Sequence, residues 1–542
     1  MKRILFLIYL LLSYTACVNA VPKAAIRSIS AATMRSHVEF LASPELEGRD
    51  APGRGSEIAQ RYVATRFAEY GLQTFKDIPR FYQLIPLTIC KPDYDNTILA
   101  IHRNTEIQQF TPNQDFYTFP KAGSDNKVCG PVLLCGYGIQ APAYNYDDFA
   151  GCDPQGKFLF VFEGEPQEQD STSVFNGTKP TRYSSVAVKT NTAFQLGAVG
   201  LFIMQKPESD PAAWRKKIAQ FQQKAEEPIV QLTEDIGAST VNTLPVFYLE
   251  ENVVRSLLGR EFDVIAYQEG IDYAGAGNPL PLDQVTVSFS LRFKDVLETQ
   301  TANIVGYYPG KSEAAVVVLA HHDHIGIQMQ ENQICPGADD NASGTAGLLQ
   351  IAQCFSAWGE KLQRSVVFLS TSIEEDGTLG AKYFLNHSPI PVDKIVGAVN
   401  LDQIGRDGSS LFRALYDTAL PTESDLLMAF YSGQTPEIAE IAQRANRSTN
   451  LNLVAEPVLK FHSASDHVQF HNQGIPSLFL FSGFHSDYHS PQDIPAKINY
   501  EKLVRVVEFT LGLVYEIATR DAPLIFDTRI EEVKTSGRQY GY

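Results

Sequence analysis

The chain has 542 residues with 44% hydrophobic and 20% charged content, which sets it apart from disordered, collagenous and coiled-coil sequences and suggests about two to four domains. Its net charge is −17, and a surface that acidic repels phosphate backbones and anionic lipid, arguing against nucleic acid and charged membranes as partners.

Met1–Ala20 carries Lys2 and Arg3, an apolar run from Ile4 to Leu12, and a small-residue end, Val18-Asn19-Ala20. This pattern predicts a secretory leader, and therefore an exported protein of the periplasm or the extracellular space. Cys17 permits a lipid anchor, but Tyr14 stands where a lipobox has an aliphatic residue, so the anchor is not favoured. No later stretch approaches the ~18 apolar residues of a membrane span. Six cysteines remain after the leader, and the nearness of Cys129, Cys135 and Cys152 suggests a local disulfide; buried free thiols are the alternative.

Residues 21–116 form the first part of the main domain, with two helices expected between Met34 and Leu72, the second over Ser56–Tyr70 and stopped by Gly71. Over 117–277 the texture changes to short β-rich runs, such as Phe158–Phe162 and Ala198–Met204, among polar loops. This region reads as an inserted, β-rich module. Residues 278–542 return to the main domain. There the apolar runs Ala315–Ala320, Val366–Leu369, Ile395–Leu401 and Ser477–Phe481 alternate with helical stretches at Gly344–Ala357, Pro436–Ala445 (capped by Thr435) and Tyr500–Thr519. Continuously apolar strands alternating with helices predict an α/β fold, a mostly parallel mixed sheet flanked by helices.

In such a sheet ligands bind beyond the carboxyl ends of the strands, so the residues just past each run are informative. His321-His322-Asp323-His324 comes after the first, Glu374-Glu375 after the second, Asp402 after the third and Asp487-Tyr488-His489 after the fourth, while Asp339-Asp340 precedes a helix. Carboxylates crowded into one pocket repel each other unless they share a cation, and mixed nitrogen and oxygen donors favour zinc. Two Zn²⁺ would be neutralised by three carboxylates and one bridging hydroxide, with two imidazoles completing the shells. Such ions lower the pKa of bound water to about 7.

The segments Ala320-His321-His322-Asp323-His324, Gly337-Ala338-Asp339-Asp340-Asn341-Ala342-Ser343-Gly344, Glu374-Glu375, Asn400-Leu401-Asp402 and Asp487-Tyr488-His489 resemble, in order, the motifs of the co-catalytic zinc exopeptidase family that includes bacterial leucyl aminopeptidases and glutamate carboxypeptidase II. The resemblance implies that Asp340 bridges two zinc ions, with His321 and Asp402 on one and His489 and Glu375 on the other. It further implies that Glu374 is the general base, that Asp323 orients His321, that Tyr488 steadies the oxyanion, and that the Asp340–Asn341 peptide is cis. Leu41–Arg49 resembles the start of secreted family members, Ser465-Asp466-His467 a further family segment, and Asp147–Gly151 with Phe158–Phe162 a protease-associated (PA) insert. His322, His324, His467 and His485 receive no ligand role.

The expected function is a secreted two-zinc aminopeptidase acting on peptides. A carboxypeptidase or dipeptidase with the same metal core is the alternative within enzymes, and a non-catalytic receptor on a peptidase fold the alternative outside them.

Overall fold

The computed structural model describes residues 21–118, 126–168, 170–175, 177, 181–206, 211–225, 227–236, 244–328, 332–409, 422–458 and 465–530. The leader and Cys17 lie outside the described residues. Both expected N-terminal helices form. In α1 (Ala31–Leu41), Ser30 caps the first turn by accepting the Thr33 amide at 3.2 Å, and Met34, Val38 and Leu41 make the buried stripe. In α2 (Arg54–Glu69), Ala59, Val63 and Phe67 recur every fourth residue on the buried face, and Gly71, at φ +72°, lets the chain turn out of the helix.

The chain then divides into two units, one running to Ile85 and resuming at Gln300, the other comprising Pro86–Thr299. After β1 (Tyr82–Pro92), the second unit contributes β2 (Ile98–Arg103), β3 (Glu106–Phe110), β4 (Phe116–Thr118), β5 (Asn126–Leu134), β6 (Phe158–Phe162), α3 (Val186–Gln195), β7 (Gly200–Met204), α4 (Pro211–Ala225), β8 (Val246–Leu249) and β9 (Leu280–Leu291). Its sheet runs β3-β2-β9-β5-β6-β7-β8-β4, parallel from β5 through β8. The unit is wider than the 117–277 module read from composition, because β9 pairs antiparallel with both β2 and β5 and so draws both flanks into one sheet.

The first unit is built on β10 (Phe293–Tyr308), β11 (Ala315–His321), α5 (Gly344–Ser356), β12 (Ser365–Thr371), α6 (Leu379–Asn386), β13 (Ile395–Leu401), β14 (Leu426–Ser432), α7 (Glu437–Asn446), β15 (Asn452–Val458), α8 (His467–Asn472), β16 (Ser477–Phe481) and α9 (Tyr500–Thr519). Within their sheet the strands named here lie in the order β1-β10-β12-β11-β13-β16-β14-β15. The central four, β12, β11, β13 and β16, are parallel, and β10 and β14 run antiparallel to their inner neighbours, so the sheet is mixed around a parallel centre.

Every residue of β11 is buried, and its side chains alternate between two cores. Val316, Val318 and Ala320 pack with residues of α1, α2, α5 and α9, whereas Val317 and Leu319 pack with Ala381, Phe384 and Phe470 of α6 and α8. Helices on both faces explain why these strands read as unbroken apolar runs. The expected cap at Thr435 does not form: its hydroxyl donates to the Ile525 carbonyl at 3.0 Å, and α7 begins behind Pro436.

No disulfide joins the six described cysteines. In place of the suggested local bridge, the Cys135 and Cys152 thiols donate to the Leu133 and Phe149 carbonyls, and Cys129 is exposed on its strand. Among the described residues no helix is long and apolar enough to cross a membrane.

Candidate active site

Parallel register brings the site residues together. His321 ends β11 opposite Thr371, the last residue of β12, and Leu401, the last of β13, pairs with Leu480 of β16. The four loops after these strands therefore start from one edge of the sheet. Asp340 comes from the irregular turn Ala338–Ser343 that leads into α5, where the Asp340–Asn341 peptide is cis, as the resemblance implied.

The five expected ligands converge in two groups that share Asp340. His321 Nε2 lies 3.4 Å from Asp340 Oδ1 and 3.3 Å from Asp402 Oδ1. His489 Nε2 lies 3.1 Å from Asp340 Oδ2 and 3.2 Å from Glu375 Oε2. Asp340 thus offers one oxygen to each group. Ligand atoms on a tetrahedral zinc with bonds of about 2.0 Å stand about 3.3 Å apart, so these spacings suit two such ions. His321 Nε2, Asp402 Oδ1 and His489 Nε2 are buried atoms that make no hydrogen bond among the described residues. Buried polar atoms are ordinarily satisfied, so a converging set of unsatisfied donors fits a cation.

The adjacent glutamates are driven apart in acidity. Burial, opposed by His321 and reinforced by Glu375 and Asp402, raises Glu374 well above the usual carboxylate range. Burial acts on Glu375 in the same sense, but His489 and His324 together hold it well below that range. One carboxyl suited to carrying a proton beside one suited to staying anionic is the arrangement general acid–base chemistry requires. Glu374 Oε2 is 4.0 Å from His321 Nε2. The Tyr488 ring stacks on His489 at 3.8 Å, and burial and then Asp340 push its phenol well up, so it remains an O–H donor.

Asp323 departs from its expected contact. Its carboxylate stays 3.8 Å from His321 Nδ1, and the Asp323 carbonyl, at 3.2 Å, is the nearer partner of that nitrogen. The carboxylate instead accepts the amides of Glu374 at 2.9 Å and Glu375 at 3.4 Å, which compete for the same oxygen and fix the turn carrying both glutamates.

Several residues without an assigned role support this site. Arg49 is fully buried and donates to the carbonyls of Leu41, His322, Pro336, Gly337 and Asp340, tying the loops that carry His321 and Asp340 to the N-terminal turn. Burial draws its guanidinium down to about 10, with Asp340 the foremost of the opposing carboxylates, so it keeps its charge at neutral pH. Asp493 Oδ2 accepts the amides of Asp339 and Asp340 at 2.9 and 3.1 Å. Ser465 donates to Asp402 Oδ2 at 2.7 Å and accepts from Asn400, which explains the segment around Ser465-Asp466-His467. His324 faces Glu375, its Nδ1 2.8 Å from Oε1. Position after a strand was the only sequence signal for His324, and it shared that signal with His322.

Aminopeptidase YwaD of Bacillus subtilis is 25% identical over 242 residues, covering 43% of this chain and 48% of that protein. Leucine aminopeptidase 1 of Leptosphaeria maculans is 26% identical over 226 residues, covering 40% and 56%. The chain therefore spans about half the length of the curated relatives it matches. Among solved structures, the aminopeptidase from Aneurinibacillus sp. strain AM-1 superposes with a TM-score of 0.51 at 19% identity, covering 93% of this chain and 97% of that one, and so shares the fold. Residues 303–514, which hold all five converging side chains, match the model of Peptidase family M28.

Proposed function

We propose that the chain is an exported two-zinc aminopeptidase that removes N-terminal residues from peptides. The observation that carries this reading is Asp340, which turns one carboxylate oxygen to His321 and Asp402 and the other to His489 and Glu375. His321 and Asp402 would hold one zinc ion, His489 and Glu375 the other, with Asp340 between them. Zinc bound there supplies Lewis-acid polarisation of the scissile carbonyl and an acidified water.

The chain's own residues account for the remaining chemistry. Glu374, ionised when the site is loaded, would take a proton from the attacking water, and its burial, which raises its affinity for that proton, suits it to hold the proton and deliver it to the leaving amine. Tyr488 donates its phenolic O–H to the developing oxyanion. Asp323 holds Glu374 in place through the backbone amide. The names of the relatives, aminopeptidase YwaD and leucine aminopeptidase 1, support the aminopeptidase polarity.

The deciding experiment combines elemental analysis with a panel of aminoacyl, carboxyl-blocked and dipeptide substrates. About two zinc ions per chain and release of N-terminal residues are expected. Cleavage that requires a free carboxylate would replace the reading with a carboxypeptidase, cleavage confined to dipeptides with a dipeptidase, and bound zinc without turnover with a receptor.

A further inference from the structure

The four loops bring a third histidine to the cluster. His324 is fully buried, and its Nδ1 lies 2.8 Å from Glu375 Oε1, the oxygen that does not face His489. Its distance to Asp340 Oδ2 is 3.9 Å. The 2.8 Å separation is that of a charge-assisted hydrogen bond and is short for two ligand atoms on one tetrahedral zinc, whose edge is about 3.3 Å. The opposite ring nitrogen, Nε2, makes no hydrogen bond among the described residues, so the proton is better placed on Nδ1, facing the carboxylate.

The surroundings hold the ring there. The His324 amide donates to the Arg49 carbonyl at 3.3 Å, and the ring meets His489 edge-on at 5.5 Å. Across from it, a Cβ on Gly337 would sit 2.5 Å from His324 Cδ2, so the imidazole fits only because residue 337 has no side chain.

We infer that His324 is a positioning residue that donates Nδ1–H to Glu375 Oε1, holding Glu375 to its other oxygen as a one-oxygen ligand of the ion it shares with His489 and Asp340. The inference rests on the proposed two-zinc reading. A carboxylate free to rotate can chelate through both oxygens and fill a coordination position that substrate needs, and a hydrogen bond to the outward oxygen prevents this. Outer contacts of this kind typically change metal affinity about 10–100-fold when removed.

The test measures zinc dissociation constants of both sites by competition with a chromogenic chelator, in the full chain and in its His324→Leu and His324→Asn variants. The asparagine amide nitrogen overlays the ring's Nδ1 and keeps the donor. His324→Leu is expected to weaken one zinc ion about 10–100-fold and leave the other unchanged, while His324→Asn stays within a few-fold of the parent. Cobalt-substituted His324→Asn should keep the visible absorption spectrum of the parent. Unchanged affinities in His324→Leu would overturn the inference. So would a His324→Asn variant as weak as His324→Leu with an altered cobalt spectrum, because the imidazole would then be a direct ligand. Should the leucine variant not fold, His324→Gln, whose amide nitrogen stands where Nε2 was, is expected to lose the affinity that His324→Asn retains. A parent chain that binds fewer than two zinc ions defeats the two-zinc reading itself, an outcome read before any variant is compared.

Discussion

Both units of this chain bury ionisable groups just past the ends of parallel strands, but they treat them in opposite ways. In the second unit Lys189, fully buried, donates to the carbonyls of Tyr137, Phe162 and Gly164. Asp148 accepts the amides of Tyr137 and Ile139 and the Tyr146 hydroxyl, and Glu165 accepts the amide and hydroxyl of Thr181. Burial draws Lys189 down and pushes Asp148 up, against their mutual attraction, so that both stand at about 7. In the first unit the equivalent groups converge with Nε2 of His321, Oδ1 of Asp402 and Nε2 of His489 unsatisfied among the described residues. Buried charge alone therefore does not single out a candidate site; buried charge whose polar atoms aim at a common point does.

The largest effects should fall on the unsatisfied cluster. Chelation is expected to remove several kcal/mol of transition-state stabilisation, on the order of 10³-fold in turnover, with recovery on adding zinc back. Activity that survives exhaustive chelation with no residual metal would end the contrast between the two units. Glu374→Gln should lower kcat about 10²–10⁴-fold while both zinc ions remain bound, because it removes the proton carrier and leaves the five ligands intact. Turnover equal to that of the parent would exclude Glu374 as the base.

The satisfied cluster should respond in stability instead. Removing one member of a buried charge network leaves the other uncompensated, so Lys189→Met is expected to cost about 3–5 kcal/mol within the second unit. Lys189→Met combined with Asp148→Asn should cost less than Lys189→Met alone. Hydrogen exchange of the β6 amides reads the loss, and zinc content should not change. If metal binding fell with Lys189→Met while β6 exchange stayed the same, the two clusters would not be separate in kind.

How much of this was legible in sequence depends on the same division between local and distant determinants. β13, β16 and α9 begin and end at the residues their apolar runs marked, since burial on both faces leaves a continuous local signature. The five proposed ligands could be picked out because each lies next to such an element. β14 and β15 were passed over: β14 is equally apolar, but its antiparallel place beside β16 is set by pairing with a strand some fifty residues on. The edges of the second unit were hidden for the same reason, since β2 and β9 find each other across most of the unit. Arg49 was least accessible of all, because four of its five carbonyl partners lie 273 to 291 residues away and backbone acceptors carry no residue-type signal.

The smallest expected effect concerns a buried histidine with partners on both nitrogens. His37 on α1 pairs its Nδ1 with the Tyr62 hydroxyl at 2.7 Å and its Nε2 with the Tyr70 hydroxyl at 3.4 Å. Burial, with help from Arg66, lowers its pKa to about 4 from the ordinary 6.5. Above pH 6.5 the ring is neutral in both folded and unfolded chains and stability does not depend on it. As pH falls from 6.5 to 4 the unfolded chain takes up the proton first, so stability declines across that window and levels off below it. The full loss is at most about 3 kcal/mol. Urea unfolding of the metal-free chain, compared at about pH 7 and about pH 4.5, should show a larger drop in the parent than in His37→Gln, which has nothing to titrate there. Equal drops would place the acid sensitivity elsewhere. A smaller drop in the parent would mean that the protonated ring is accommodated, as an aromatic hydroxyl rotated to accept from it would allow.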